Sequence, residues 1–206
     1  MDACPLTGAS RVQALRFGSA DGLPIVETTK RVAMINAFDA SQRRQMQFIA
    51  DVHRLWWARK FSELFQLVMS GDSPMQDLFD ANDTPCLLRF VGLGGIDVVA
   101  RMLADSNVNF DTAPPVNVIS LYKAFIRLMT ELLIVSPSFA WYLVDAHRAM
   151  YSNLLRMCSV RRLWESILSI LEHTVSAVGP AILLEKCPAL TSLLSEAEGV
   201  EVGLAS

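Results

Sequence analysis

The sequence predicts an all-α fold, built as a stack of helices or as an irregular helical bundle. Apolar residues recur at helical spacing along most of the chain, and no segment alternates apolar and polar residues long enough to form a strand. Proline and glycine interrupt this pattern at intervals, as they do between helices. Because 52% of the 206 residues are hydrophobic and 19% are charged, we expect helices buried on several sides, or apolar surface that a partner covers.

The domain organisation follows from where this periodicity starts and stops. Residues 1–23 contain three glycines and little periodicity, which predicts a loose N-terminal arm. Residues 24–198 are predicted to form a single helical domain, and residues 199–206 a frayed tail. Pro24 suits the first turn of a helix, and Asp39-Ala40-Ser41 is predicted to end that helix and cap the next.

Residues 42–69 lie within the longest stretch without glycine or proline, residues 25–70. Their apolar side chains share one side of a helix up to Trp56 and lie on nearly the opposite side from Trp57 onwards. Two structures fit this reversal: a helix that breaks near the two tryptophans, or one continuous helix that serves two packing layers.

The densest mixture of aromatic and cationic residues lies in the middle of this stretch, from His53 to Lys60. Trp and Arg dominate protein interfaces because each buries a large area and still offers a hydrogen-bond donor. We therefore predict that a partner binds here. The alternative is that both tryptophans belong to the core and the charges line solvated faces. The predicted partner-binding residues are Arg54, Trp56, Trp57, Arg59 and Lys60.

Proline and glycine breaks place the later helices. The polar segment 105–117, which contains Pro114-Pro115, is predicted to be a flexible loop. A last helical region is expected to reach Glu196, with an interruption at Cys187-Pro188. The helices between residues 95 and 178 are predicted at 95–104, 116–135, 138–158 and 160–178.

One segment carries a family resemblance. The run from Gly94 to Leu103 turns on a Gly-Gly pair and continues as an apolar helix, and Ile119 to Leu133 forms a longer apolar helix. In this order the segment from Leu88 to Ser136 resembles an armadillo-type helical repeat. The resemblance implies an armadillo/HEAT-like stack of helices that binds a protein partner.

The same resemblance excludes one way of binding. Armadillo-type proteins hold extended peptides with asparagines on the long helix, and the helix from Ile119 to Leu133 contains none. A second resemblance is to the helical N-terminal domain of S-II-type transcription elongation factors. It implies a small helical bundle that binds short partner motifs.

The sequence contains no recognisable motif for catalysis. A G-x-G-x-x-G pattern would need glycine where Asp97 stands, and no serine lies in a G-x-S-x-G motif. His53, His147 and His173 lack the spacing of metal ligands. We therefore expect no enzyme activity, no cofactor, no metal and no small-molecule substrate.

Charge, cysteine spacing and hydropathy bear on partners and location. A net charge of −3 gives no general attraction to nucleic acid. The four cysteines contain no C-x-x-C pair, and we expect Cys86 and Cys158, which lie among apolar helical residues, to be buried reduced thiols. The uncharged run from Leu132 to Val144 is too short to span a membrane, and the first residues lack the pattern of a secretory signal.

We accordingly expect an intracellular scaffold or adaptor, cytoplasmic or nuclear, that works as a subunit of a larger complex. Its partner is expected to be another protein or a second copy of the chain. The alternative is a nucleic-acid- or transcription-associated helical module. That module would use the cations Arg43, Arg44, Arg54, Arg59 and Lys60.

Overall fold

A computed structural model describes residues 25–79, 84–108, 114–188 and 190–192 of the chain. The chain divides into two units, Met1–Arg43 and Arg44–Ser206. The described part of each is mainly α-helical, and no strand occurs among the described residues, so the predicted all-α fold is confirmed. The predicted arm and tail lie outside the described residues, and the predicted extent of the helical domain stays a prediction.

Short turns separate most of the described helices. Among the helices that lie wholly in the second unit, α6 is the longest. In chain order the described helices are α1 (Ile25–Trp57), α2 (Phe61–Met69), α3 (Pro74–Leu78), α4 (Thr84–Gly92), α5 (Gly95–Leu103), α6 (Val116–Val135), α7 (Phe139–Ala146), α8 (Arg148–Arg156), α9 (Trp164–Val178) and α10 (Pro180–Lys186), with a 3₁₀ turn at Met157–Ser159. The predicted helix at 116–135 is therefore confirmed.

The predicted break at Asp39-Ala40-Ser41 is wrong, because α1 continues through these residues. Aspartate and serine favour helix caps, yet inside a helix each costs only a few tenths of a kcal/mol relative to the best helix formers. Without glycine or proline nearby, such a weak local signal does not end a helix.

The predicted helix at 138–158 is divided at His147, and the one predicted at 160–178 begins only at Trp164. The backbone of His147 lies outside the helical region, at φ −126° and ψ 34°. Its Nε2 lies 2.8 Å from Oδ1 of Asp97 on α5. A contact between residues far apart in sequence thus accompanies the break, and no local sequence signal marks it.

The predicted flexible loop at 105–117 is wrong over its first residues. Asp105 and Val108 are buried, and Asn153 of α8 donates hydrogen bonds to the carbonyl oxygens of Leu103, at 2.7 Å, and Asp105, at 3.3 Å. This part of the connection is packed within the second unit. Residues 109–113 lie outside the described residues.

The second unit repeats one order of helices. Two short helices precede a longer one in α4–α5–α6 and again in α7–α8–α9. Among the described helices, the longer helices α6 and α9 make the most extensive contact, and α5 also packs on α8. Four buried positions have the same spacing in α5 and in α8 with the 3₁₀ turn that follows it: Ile96, Val99, Ala100 and Leu103 correspond to Met150, Asn153, Leu154 and Met157.

No single described helix is both long enough and apolar enough to cross a membrane. The helices α9 and α10 reach the required length and composition only as a pair, and the chain bends by 107° between them.

The Gly94-Gly95 turn supports a prediction about stability. A Cβ atom on Gly95 would lie 2.4 Å from the buried ring of Phe90, whereas one on Gly92 would meet no atom within 4 Å. We expect Gly95→Ala to lower the free energy of unfolding by about 1–3 kcal/mol, because the packed ring must move. Gly92→Ala is the matched control and should change it by less than about 0.5 kcal/mol. Urea unfolding followed by circular dichroism measures both; equal stabilities would show that Phe90 moves without cost.

Candidate functional site

The candidate site lies where α1 ends and α2 begins. The N–H of Lys60 donates to the carbonyl of Leu55 at 3.0 Å, and the N–H of Arg59 donates to the carbonyl of Trp56 at 2.9 Å. These paired bonds form a Schellman motif, which ends a helix. Residues 42–69 are therefore two helices, and the reversal of their apolar side coincides with the turn between them.

Arg59 occupies the left-handed position of this motif, with φ 58°. Glycine is the usual residue there, because a side chain at positive φ is strained. The guanidinium of Arg59 is held by an ion pair, with Nη1 2.6 Å from Oδ2 of Asp105. This tertiary contact offsets the local strain.

The carboxylate of Asp105 gathers donors from three directions. It accepts hydrogen bonds from the indole of Trp56 at 2.9 Å, from Arg59 at 2.6 and 3.4 Å, and from the backbone and side chain of Asn107 at 3.1 and 3.0 Å. Burial by itself would raise the pKa of Asp105. The hydrogen bonds from Arg59, Asn107 and Trp56 outweigh burial and hold that pKa below its ordinary value.

Trp56 is a core residue with 0% of its surface exposed. Its ring meets Phe61, Tyr122 and Phe125 edge to face, with centroids 5.4, 5.5 and 6.2 Å away. A partner cannot reach this side chain while the core is closed. Trp56 and Arg59 therefore contribute to the site indirectly, through their hydrogen bonds to Asp105.

Trp57, the next residue, is 46% exposed. The imidazole of His53 meets its ring edge to face, with centroids 6.1 Å apart. The Cζ atom of Arg59 lies 5.9 Å from the ring centroid, within the range of a cation–π contact. Two neighbours thus hold the indole in place while much of its surface stays open to solvent.

The other two predicted residues flank this indole in sequence and are also exposed. The side chain of Arg54 is 64% exposed and pairs with Asp51 at 2.7 Å. The side chain of Lys60 is 52% exposed and pairs with Glu63 at 2.8 Å. We use the name Trp57 surface for the exposed side chains of His53, Arg54, Trp57 and Lys60.

A second polar cluster joins the helices α4–α5–α6 to the helices α7–α8–α9. Asp97 of α5 accepts a hydrogen bond from the hydroxyl of Tyr142 on α7 at 2.5 Å and lies 2.8 Å from Nε2 of His147. Burial by itself would raise the pKa of Asp97, but the bonds from Tyr142 and His147 outweigh it and lower that pKa. Sequence reasoning missed this cluster, because its members lie far apart along the chain.

A groove of about 760 Å³ follows the exposed side of α6. The end of α2, helix α3 and Phe79 line one side of it, and the first turns of α9 line the other. Sequence analysis did not identify this groove. The available signal was the regular spacing of Lys123, Arg127 and Glu131 on an otherwise apolar helix. We call this feature the α6 groove.

Within the ranges that the structure describes, no group of three or more His, Cys, Asp or Glu side chains could hold a metal ion. Comparison with known proteins adds no relative: no family model matches the chain, and no curated protein or solved structure is detectably similar to it.

Proposed function

We propose that this protein is a non-enzymatic helical scaffold that binds a protein partner through the Trp57 surface. The observation that carries the proposal is the half-exposed indole of Trp57, held by His53 and Arg59. An indole that is already fixed loses little conformational freedom on binding, and it can bury a large apolar area. Such residues anchor protein interfaces.

The repeated order of helices supports the scaffold part of the proposal. Stacks of armadillo-type repeats bury one continuous core between successive units and present extended surfaces to partners. The order α4–α5–α6 followed by α7–α8–α9, with α6 against α9 and α5 against α8, is the arrangement that such a stack requires. We propose that the second unit is an armadillo-type stack on this ground.

The ion pairs of the site favour a protein partner over nucleic acid. Each of the cations Arg54, Arg59 and Lys60 already has a carboxylate within 2.8 Å. Phosphate binding draws its affinity from cations that are free to replace counterions. The rim of a protein interface is polar and solvent-accessible, and exposed ion pairs around an indole are compatible with such a rim.

Two single substitutions, Trp57→Ala and Arg54→Glu, test the proposal. Both side chains are exposed, so we expect each change to lower the free energy of unfolding by less than about 1 kcal/mol. Self-association, measured by analytical ultracentrifugation, or retention of proteins from a lysate of the native source should be lost. Trp141→Ala is the matched control, because Trp141 on α7 is 50% exposed and lies outside the Trp57 surface. If association survives both changes at the site, this surface is not the interface.

A further inference from the structure

The last long helix that the structure describes, α9, carries exposed apolar side chains besides those that it buries. The side chains that it buries are Ile167, Ile170, Thr174 and Val178. Trp164 and Leu168 are 53% and 49% exposed, and their four-residue spacing makes them neighbours on the helix surface. An exposed tryptophan beside an aliphatic side chain offers a large apolar contact to a partner.

The position of α9 in the stack explains why this contact stays open. The preceding long helix, α6, packs on both α2 and α9, whereas α9 packs on α6, on α7 and on α10, which has seven residues. No long helix follows α9 in the part of the chain that the structure describes. The last unit of a helical stack normally has a polar outer face, because nothing covers it. Exposed Trp164 and Leu168 depart from that rule and favour a covering partner.

Opposite charges lie at the two ends of this apolar pair. Arg161 and Arg162 immediately precede Trp164, and Glu172 lies one turn after Leu168. All three charged residues are exposed, and none of them forms an ion pair within the described ranges. We use the name α9 face for Arg161, Arg162, Trp164, Leu168 and Glu172. Because its ends differ in charge, the α9 face is complementary to its own reverse.

Helix geometry places the complementary groups of two copies opposite each other. Midway between Trp164 and Leu168, a two-fold axis would lie about 8 Å from Arg161 and about 9 Å from Glu172 along the helix, at about 1.5 Å per residue. In an antiparallel pair, Arg161 of one copy therefore lies beside Glu172 of the other, and each Trp164 lies against the other Leu168. Both contacts form twice, as in any isologous dimer. A parallel pair would instead place Glu172 beside Glu172.

Glu165 is the charge that opposes this arrangement. It is exposed and lies one residue from the midpoint, so the two copies of Glu165 approach each other in the antiparallel pair. Arg161 and Arg162 lie about one turn before Glu165 in the same copy, and their positive charge offsets the repulsion. With two cations and two anions in each copy, the α9 face and Glu165 together carry no net charge.

We propose that the α9 face binds the α9 face of a second copy of this chain, with the two helices antiparallel. Self-complementary charge around an exposed apolar pair carries this inference. Interfaces that bury less than about 1,200 Å² are weak and transient, so the expected dimer forms reversibly at high concentration. The inference goes beyond the proposed function, because the α9 face shares no residue with the Trp57 surface and its partner is the chain itself.

Charge exchange between two variants tests the proposal by analytical ultracentrifugation of the whole chain, up to about 1 mM, the upper end of weak association. Glu172→Arg alone should weaken dimerisation about tenfold or more, because it places like charges together at both contacts. The double variant Arg161→Glu, Arg162→Glu should do the same. An equimolar mixture of the two variants should dimerise as the wild type does, because both contacts of the mixed dimer then join opposite charges.

Changes at the apolar pair and at the axis sharpen this test. Leu168→Glu should abolish dimerisation, because it places two carboxylates within the apolar contact. Glu165→Gln should strengthen dimerisation, because it removes the like-charge approach at the axis. Glu63→Arg is the matched control for Glu172→Arg, because Glu63 on α2 is also exposed and lies outside the α9 face; it should leave dimerisation unchanged. Thermal unfolding by circular dichroism verifies that each variant is folded.

The α9 dimer is distinguishable from association through the Trp57 surface. Dimerisation through α9 should survive Trp57→Ala, and self-association through the Trp57 surface is measured in the Leu168→Glu background, where the α9 dimer is absent. A wild-type chain that stays monomeric up to about 1 mM overturns the proposal. So does a mixture of the two charge variants that dimerises no better than either variant alone.

Discussion

Replacing Asp105 by alanine is expected to lower the free energy of unfolding by about 1–3 kcal/mol, the cost of leaving a buried hydrogen-bond donor without its acceptor. Its side chain is 1% exposed, and the change leaves the Trp56 indole N–H without its acceptor and Arg59 without its counter-ion. Chemical denaturation with two spectroscopic probes measures the loss. Asp145→Ala, which removes an exposed ion pair with Lys186, is the control and should cost less than about 1 kcal/mol.

The difference in unfolding free energy between the wild type and Asp105→Ala should depend on pH, and its direction follows from the pKa of Asp105. The folded-state pKa of Asp105 lies below its ordinary value of 3.8, so the folded chain holds the ionised form more tightly than the unfolded chain does. The resulting stability is present above pH 3.8 and is lost as the pH falls through the folded-state pKa. The difference between the wild type and Asp105→Ala should therefore narrow below pH 3.8. A difference that widens in acid would mean that folding raises the pKa of Asp105 instead of lowering it.

The adjacent tryptophans should respond very differently to truncation. Trp56→Ala removes a fully buried ring that contacts three aromatic neighbours, and we expect it to cost about 3–5 kcal/mol of unfolding free energy. Trp57→Ala should cost less than about 1 kcal/mol. Trp56→Phe keeps much of the ring but removes the donor to Asp105, so its cost should lie between these two values. Equal losses at both tryptophans would contradict the placement of Trp57 at the surface.

The Asp105 network and the proposed interface share Arg59. Arg59 lies over the Trp57 ring and also binds Asp105, so a change at Asp105 alters both stability and the position of the indole. Substitutions at Arg54, Trp57 and Lys60 alter exposed atoms of the site and leave the Asp105 network intact. Loss of binding in these variants, with stability preserved, is the signature of a direct contact.

Local sequence signals were sufficient to place helix boundaries where a proline lies next to a stretch of helical apolar spacing. Pro115 and Ser136-Pro137 bracket α6, and its predicted bounds match those observed. The Ser73-Pro74 pair likewise begins α3, where the N–H of Met75 donates to Oγ of Ser73 at 3.3 Å. Proline restricts the backbone by its own covalent structure, so these boundaries depend little on the rest of the fold.

The sequence by itself determined the all-α class and the reversal of the apolar side at Trp56-Trp57, because helical spacing is a property of neighbouring residues. Only the tertiary structure decided which tryptophan is buried and why α1 ends there. At this helix end Trp56 packs on three aromatic rings, and Arg59 pairs with Asp105, a residue that sequence analysis placed in a loop. His147 ends α7 beside Asp97 in the same manner. Ion pairs and hydrogen bonds between residues some fifty positions apart leave no periodic trace in the chain, so only folding brings them together.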